Sequence, residues 1–267
     1  MNNISNAVAA IESNDKRLEE YEELLVRRDG LIKEADSYQI CYIREFGDII
    51  KENFELKLEC IKKKKTISYC MRMINRGLNI ETRRMLAEVE KEMTLYYTQL
   101  KEMIRENDAA KDSVRVGQYR LERAKKIYRR LAKLLHPDIN SKTMRNKNLQ
   151  DIWIRITNAY RMSDVDELED LEVLARKEME ELGENGYEVE YSDIEERIER
   201  VERQINDILN TEPYTYGELL KSDERISDLK NQMQEEYDDY KHYLEVLTKE
   251  LSDMLREGGV KLVWKIK

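Results

Sequence analysis

Residues 14–75 contain no proline and place apolar side chains at intervals of three and four, which is the spacing of one face of an α-helix. Lys, Arg and Glu occupy the opposite faces, as in an amphipathic or coiled-coil helix. At about 1.5 Å per residue, such a helix reaches roughly 90 Å, longer than a small globular domain is wide. Because most of the stability of a helix comes from packing, this stretch predicts an arm that pairs with other helices.

The composition of the whole chain favours the same class of fold. Of 267 residues, 39% are charged and 40% are hydrophobic, with only 2 Pro and 9 Gly. These values are typical of long solvated helices and argue against a compact α/β enzyme. Apolar residues recur at helical spacing throughout the chain, which argues against disorder.

Further helical patterns cover residues 81–106, 192–210 and 223–257. The sequence Arg76-Gly77-Leu78-Asn79 is typical of a helix stop and turn, so the helices before and after it are predicted to form an antiparallel hairpin. Residues 187–191 and 260–267 instead alternate apolar side chains with acids in one segment and lysines in the other. This alternation predicts a small two-stranded β-ribbon.

The charge is unevenly distributed along the chain. The net charge is −9, which argues against a general nucleic-acid-binding protein, since phosphate contacts require a cationic surface. Residues 114–135 nevertheless hold eight basic side chains and one acidic one, whereas residues 161–202 hold seventeen acidic and five basic ones. The basic segment predicts a helix with two stripes. One stripe is basic (Lys126, Arg129, Arg130, Lys133) and the other is apolar (Leu121, Ala124, Tyr128, Leu131, Leu135).

His136, Pro137 and Asp138 follow this basic helix directly. The Pro137 ring disfavours helical geometry at His136 and removes a backbone donor, so the helix is expected to end there. A further helix is predicted to start near Ser141 and to carry one apolar, partly aromatic face (Leu149, Ile152, Trp153, Ile156, Ala159, Tyr160). Ser163 or Asp164 then resembles the N-cap of a short acidic helix.

A basic amphipathic helix, His136-Pro137-Asp138 and a helix with an aromatic apolar face resemble the J domain of DnaJ-type co-chaperones. The matching residues are 126–140 and 156–160, and the resemblance covers residues 118–174. It implies a helical hairpin whose tip presents the motif to the ATPase of a DnaK-type heat-shock chaperone and triggers ATP hydrolysis. Carried over by position, the residues facing the chaperone are Lys125, Tyr128, Arg129 and Arg130 on the helix and His136, Pro137 and Asp138 in the turn, with Lys126 and Lys133 on the same basic stripe.

Elementary chemistry agrees with these roles. A basic stripe steers encounter with an acidic partner, and Asp138 can accept paired hydrogen bonds from a partner arginine. A structural role is the alternative for several of these residues: Tyr128 fits the core of the hairpin whatever the function, and Lys126 and Lys133 fit a solvated face. His136 has no nucleophile or relay pattern around it, so no enzyme activity is expected.

The sequence departs from the family in three respects. The usual first helix, with its Tyr-Tyr pair, is not at the expected distance, because Tyr97 lies 28 residues before Lys125. The helix over residues 81–106 is expected to supply the missing packing surface. There is no Gly/Phe-rich linker and no zinc-binding cysteine array. The layout as a whole is similar to bacterial J-domain-containing proteins with flanking coiled-coil helices.

Together these patterns predict an all-α fold of long antiparallel coiled-coil helices that flank a J-domain-like hairpin. Three consecutive segments are expected: a helical hairpin over 1–112, the J-domain-like segment over 113–183, and a C-terminal helical hairpin with a terminal strand over 184–267. The expected function is a co-chaperone that stimulates a DnaK-type ATPase and uses its arms for a client, another partner or self-association. The alternative is a structural coiled-coil interaction protein whose hairpin no longer activates a chaperone.

No metal or cofactor is expected. Cys41, Cys60 and Cys70 are odd in number and lack Cys-x-x-Cys spacing, which is typical of reduced thiols on helices. No run approaches the roughly 20 apolar residues of a membrane span, and the apolar residues 7–11 are too few for the core of a signal peptide. These features predict a cytoplasmic protein.

Overall fold

The computed structural model describes residues 2–113, 116–182 and 193–257, with side chains from residue 16 onward. Over these ranges the backbone forms nine helices and no β-strand, so the prediction of an all-α fold is confirmed. The helices are α1 (Asn2–Ile74), α2 (Thr82–Asp112), α3 (Gln118–Leu135), α4 (Ser141–Arg145), α5 (Lys147–Met162), α6 (Val165–Glu181), α7 (Ile194–Asn210), α8 (Tyr216–Leu219) and α9 (Asp223–Glu257). None of them has, within the described residues, an apolar stretch long enough to cross a bilayer. The predicted ribbon of residues 187–191 and 260–267 lies outside the described residues.

The chain folds into two compact units, and helix α1 contributes to both. The first unit takes Met1–Tyr38 and Val114–Gly217, and the second takes Gln39–Ser113 and Glu218–Lys267, as far as these ranges are described. The sequence predicts three consecutive segments. The division into these two units was not predicted, because a continuous helical pattern does not indicate where one packing partner is replaced by another.

In the second unit, helix α2 returns antiparallel along α1, and helix α9 runs parallel to α1. Gly77 allows the tight turn between α1 and α2 with a φ of 64°, a conformation that other residues rarely adopt. The helices bury three apolar clusters, with members on α1 and α2 (Leu58, Cys70, Met85, Val89, Met93) and on α1 and α9 (Cys60, Ile67, Leu247). These clusters cover part of the apolar stripe of α1, and the coiled-coil geometry of the arms stays a prediction.

Helices α3, α5 and α6 form the core of the first unit. Helix α5 runs antiparallel to α3 and places the ring of Tyr160 on that of Tyr128, with ring centres 4.0 Å apart. Helix α6 runs parallel to α3. Their apolar faces meet in one buried cluster (Ala124, Ile127, Tyr128, Leu131, Leu135, Leu149, Ile156, Leu168, Leu171, Ala175). The helices before and after His136-Pro137-Asp138 therefore share a single core.

A second apolar seam of the first unit joins the first part of α1 to α7 (Tyr21, Leu25, Ile194, Ile198, Val201, Ile205). The sequence prediction placed α7 and α9 in one C-terminal hairpin, whereas the structure describes an apolar seam of each with α1. Helix α7 packs on α1 in the first unit, whereas α9 packs on α1 in the second. The reason is that apolar stripes of similar composition do not encode which other stripe they cover.

The predicted helix that starts near Ser141 is divided in two. Asn146 ends helix α4, and its side-chain oxygen accepts hydrogen bonds from the N–H groups of Asn148 and Leu149, at 2.8 and 3.2 Å. This N-cap satisfies backbone donors that have no partner inside helix α5. Asp164 caps helix α6 in the same way, as one of the two residues predicted for that role.

Gly30 and Gly47 on helix α1 provide a matched pair of variants for the packing. A Cβ at Gly47 would overlap the buried side chain of Asn107, which donates a hydrogen bond to Asp48 at 2.9 Å. A Cβ at Gly30 would come no closer than 3.9 Å to the hydroxyl of Tyr160. We expect Gly47→Ala to lower the free energy of unfolding by about 1–3 kcal/mol through overpacking. Gly30→Ala should raise it by up to about 1 kcal/mol through helix propensity.

Denaturant unfolding followed by circular dichroism measures both effects. A Gly47→Ala variant as stable as the wild type would contradict the close approach of α1 and α2 at this position.

Candidate functional site

His136, Pro137 and Asp138 form a tight turn directly after helix α3. His136 has a φ of −58° and a ψ of 125°, the extended conformation favoured before proline, and its N–H makes the last hydrogen bond of the helix. The His136 carbonyl accepts hydrogen bonds from the N–H groups of Ile139 and Asn140, at 2.9 and 2.8 Å. The helix therefore ends where Pro137 was predicted to end it.

Asn140 ties this turn to the helices on both sides. Its side-chain amide donates to the carbonyl of Leu134 at 2.8 Å, near the end of α3. Its side-chain oxygen accepts from the N–H of Lys142 at 2.9 Å and caps helix α4. Both bonds together fix where His136 and Asp138 lie.

The ring of His136 is buried, and only 4% of the residue is exposed. Its Nδ1 accepts a hydrogen bond from the N–H of Asp138 at 3.1 Å, and the ring meets Trp153 edge-on with centres 4.9 Å apart. Because Nδ1 is an acceptor, the neutral ring carries its proton on Nε2. Nε2 faces helix α1, where a carboxylate oxygen of Asp29 lies 3.8 Å away.

Helix α1 places a charged pair over this ring. The Asp29 carboxylate accepts a hydrogen bond from the hydroxyl of Tyr128 at 2.6 Å. The guanidinium of Arg28 donates to Asp29 at 2.8 Å. The same guanidinium lies 3.5 Å from His136 Nε2 and 3.9 Å from the Asp138 carboxylate. The side chains of Arg28 and Asp29 are only 18% and 14% exposed, so each charge depends on the other for compensation.

This environment shifts the pKa of two side chains. Burial lowers the pKa of His136 below its ordinary value of 6.5; Asp29 and Asp138 oppose the shift, and Arg28 adds to it. Burial raises the pKa of the Tyr128 hydroxyl, and the nearby Asp29 carboxylate raises it further. Near pH 7 both groups are therefore neutral, and the Tyr128 hydroxyl remains a hydrogen-bond donor.

A crevice of about 260 Å³ opens beside this cluster, between helix α1 and helices α3 and α5. The rings of Tyr128, Trp153 and Tyr160 line it together with Arg28 and Asp29. In the part of the chain that the structure describes, no group of three His, Cys, Asp or Glu side chains is placed to hold a metal ion. The crevice is thus a mixed aromatic and charged surface whose shape depends on α1.

Three arginines of the basic helix α3 turn toward helix α6. Arg130 makes two hydrogen bonds to the carboxylate of Glu172, at 2.9 and 2.6 Å, and Arg120 and Arg123 pair with other acids of α6. The bond from Arg130 lowers the pKa of Glu172 to about 2, and Arg176 contributes further. Arg130, one of the predicted docking residues, is thus held by α6.

Two other cations of the predicted stripe turn toward helix α1. Arg129 pairs with Glu23 at 2.6 Å, and Lys133 pairs with Glu22 at 3.1 Å. Both pairs lie on the same side of α3 as the contact between Tyr128 and Asp29, since all their carboxylates belong to one short stretch of α1.

Solvent reaches the remaining predicted docking residues. Lys125 and Lys126 are exposed and form no ion pair with another described residue. The carboxylate side chain of Asp138 is 42% exposed, and Pro137 is half-buried. Lys125 and Lys126 thus form the part of the predicted docking face that helices α1 and α6 leave uncovered, while Asp138 is partly exposed beside Arg28 of α1.

The resemblance implied that Tyr128 and His136 face a partner, and this stays a prediction. In the structure both are buried, with 1% of Tyr128 and 4% of His136 exposed. Tyr128 is buried because its ring fills the core between α3 and α5, which is the alternative that the sequence left open. The helix over residues 81–106 was expected to supply the packing surface of the hairpin. Helix α2, which covers these residues, belongs to the second unit, whereas Val26 of α1 and helix α6 pack on the core of α3 and α5.

Sequence reasoning missed the residues of α1 that complete this site, namely Glu22, Glu23, Arg28 and Asp29. Their signal was a cluster of four glutamates within residues 19–23, on a helix that needed a partner. The acids of α6 also escaped notice as partners, although the opposite net charges of residues 114–135 and 161–202 were visible. Neither pattern states which acid meets which base.

Comparisons with known proteins do not place this arrangement in a family. No family model, no curated protein and no solved structure matches the chain. The function is therefore inferred from the geometry of the site and from the resemblance carried by its motif.

The lowered pKa of His136 gives a prediction for the stability of the first unit. The unfolded chain takes up a proton near pH 6.5, whereas the folded ring resists protonation until a lower pH. The stability that His136 contributes is therefore present above about pH 6.5 and is lost as the pH falls through the lowered folded pKa. NMR titration should show His136 titrating below 6.5, and His136→Gln should weaken the pH dependence of unfolding in this range.

The chain has only two histidines, so the spectrum of His136→Gln assigns the signals directly. A His136 titration at or above 6.5 would contradict the burial of the ring.

Proposed function

We propose that this protein is a co-chaperone that docks on a DnaK-type heat-shock chaperone and stimulates its ATPase, with His136, Pro137 and Asp138 as the trigger. The observation that carries the proposal is the turn itself, which Asn140 fixes between a basic helix and an antiparallel aromatic helix. The long helices are proposed to bind a client, another partner or a second copy of the chain. The cytoplasm is the proposed location.

The chemistry of the solvent-accessible residues Lys125, Lys126 and Asp138 supports an acidic partner that carries an arginine. The half-exposed Asp138 carboxylate can accept two parallel hydrogen bonds from a guanidinium. The exposed ammonium groups of Lys125 and Lys126 raise the rate of encounter with a negatively charged surface. Pro137 restricts the turn before binding, which reduces the ordering that binding requires.

The second candidate is a structural helical protein whose hairpin does not activate a chaperone. The burial of His136 beneath Asp29 favours this reading, because a trigger that does not reach solvent cannot touch a partner. The two candidates differ in whether ATP turnover by the chaperone responds to the chain at all.

The proposal is tested by steady-state ATP turnover of a purified DnaK-type chaperone with the full chain added. We expect stimulation by the wild type at high concentration, and its loss in Asp138→Asn, which removes the charge of a partly exposed carboxylate. The double variant Lys125→Glu/Lys126→Glu should lower stimulation at sub-saturating concentration on the order of ten-fold, through slower association.

A matched control reverses two exposed lysines of helix α9, Lys241→Glu/Lys249→Glu, with the same change in net charge. Its stimulation should equal that of the wild type. Stimulation that survives Asp138→Asn would show that the turn is not the trigger. Absence of stimulation by the wild type and also by Glu22→Lys/Glu23→Lys, which replaces the attraction of α1 to Arg129 and Lys133 by repulsion, would favour the structural candidate.

A further inference from the structure

Residues 16–38 of helix α1 lie on the groups that the proposed docking requires. Glu23 and Glu22 neutralise Arg129 and Lys133 of the basic helix. Further along the same helix, Asp29 accepts the hydrogen bond of Tyr128 and faces Nε2 of His136. One continuous stretch of α1 thus contacts both the basic stripe and the trigger turn.

We infer that residues 16–38 of helix α1 act as an intramolecular inhibitor, which occupies the docking face of helix α3 and the His136 ring and must leave before a chaperone can dock. This inference rests on the proposed function, because it names what regulates the same site. The occupant is a segment of this chain, and it contacts the face through Glu22, Glu23 and Asp29.

The chemistry of the segment explains why it competes with a chaperone. The proposed partner is acidic, because the face it must meet is basic, and α1 presents carboxylates to the same cations. Arg28 also lies 3.9 Å from the Asp138 carboxylate, where the proposal expects an arginine of the partner. The segment therefore offers both acidic groups and an arginine to the site, in the roles assigned to the partner.

The contacts differ in how tightly they hold the segment. The side chains of Arg129 and Glu23 are 53% and 63% exposed, so solvent screens this pair and its contribution is small. The apolar seam with helix α7, in which Tyr21 and Leu25 are fully buried, holds the segment more strongly. The ion pairs align the segment on the basic helix, and the seam keeps it there.

The uncovered residues allow a partner to start binding before the segment leaves. Lys125 and Lys126 remain exposed while His136 is covered, whereas Arg28 of the segment lies beside the part-exposed Asp138. A chaperone can therefore first contact the two lysines, and it docks on the turn only after the segment has left. Its apparent affinity equals its affinity for the open form multiplied by the fraction of molecules in which the segment is away.

The decisive variant is Glu22→Lys/Glu23→Lys, which replaces two attractions to α3 by two repulsions and leaves the docking residues unchanged. The matched control is Glu19→Lys/Glu20→Lys, which makes the same charge change on the same helix at exposed positions, where Glu20 pairs with Arg17 of α1 and not with α3. We expect the first variant to raise sub-saturating stimulation of ATP turnover by roughly five-fold or more, and the control to match the wild type. Adding Asp138→Asn to the first variant should abolish its stimulation.

A second readout follows the segment without any chaperone. Departure of Asp29 and Arg28 exposes His136 to water, so its NMR titration should move up toward its ordinary pKa of 6.5 in the opened variant. Leu25→Asp, which places a carboxylate in the buried seam with α7, provides an independent way to open the contact. The core of α3, α5 and α6 does not include Leu25, so circular dichroism should remain helical.

The outcomes separate the inference from the proposed function. Higher stimulation together with an exposed His136 supports both. An exposed His136 with stimulation equal to that of the wild type overturns the inference and leaves the co-chaperone function standing. An exposed His136 with no stimulation by any variant overturns both. An unchanged His136 titration in both Glu22→Lys/Glu23→Lys and Leu25→Asp would show that the segment is not what covers the ring, which also overturns the inference.

Discussion

The hydrogen bond from the Tyr128 hydroxyl to the Asp29 carboxylate, 2.6 Å long, joins the core of helices α3 and α5 to helix α1. The same Tyr128 ring stacks on Tyr160 at 4.0 Å, so one side chain belongs both to the core and to the contact with α1. Removing either partner would leave a buried polar group unsatisfied, which costs about 1–3 kcal/mol. Asp29, fixed in this way and by Arg28, lies 3.8 Å from Nε2 of the buried His136 ring.

The distribution of charge also affects which helices surround the site. The basic helix α3 lies between acids of α6 on one side and acids of α1 on the other. Pairs such as Arg129 with Glu23 are too exposed to stabilise the fold strongly, so their main effect is on which surfaces meet and in which orientation. The bond between Arg130 and Glu172 is different, since only 16% of the Glu172 side chain is exposed and its two hydrogen bonds from Arg130 lower the pKa of that carboxylate.

Features that depend on a few neighbouring residues were predictable from the sequence. The stop at Gly77, the end of α3 before Pro137 and a cap at Ser163 or Asp164 follow from backbone geometry and local hydrogen bonding. The structure has the first two and places the cap at Asp164. The break at Asn146 is local as well, but it was missed because the apolar spacing continues across it. Partner choice was not predictable: helix α7 could have covered α9 or α1 equally well, and only long-range packing selects α1.

The sequence by itself determined that the protein is helical and that one basic helix ends at His136-Pro137-Asp138. It also determined that Tyr128, Leu131 and Leu135 lie on one face of that helix, which packs on the apolar face of the next helix. These results follow from residue spacing, proline geometry and charge, which act over one or two helical turns. Only the tertiary structure decided that residues far earlier in the chain cover the turn and leave His136 buried and neutral. The physical reason is that burial and ion pairing depend on which surfaces meet in space, and no spacing along a helix specifies its partner.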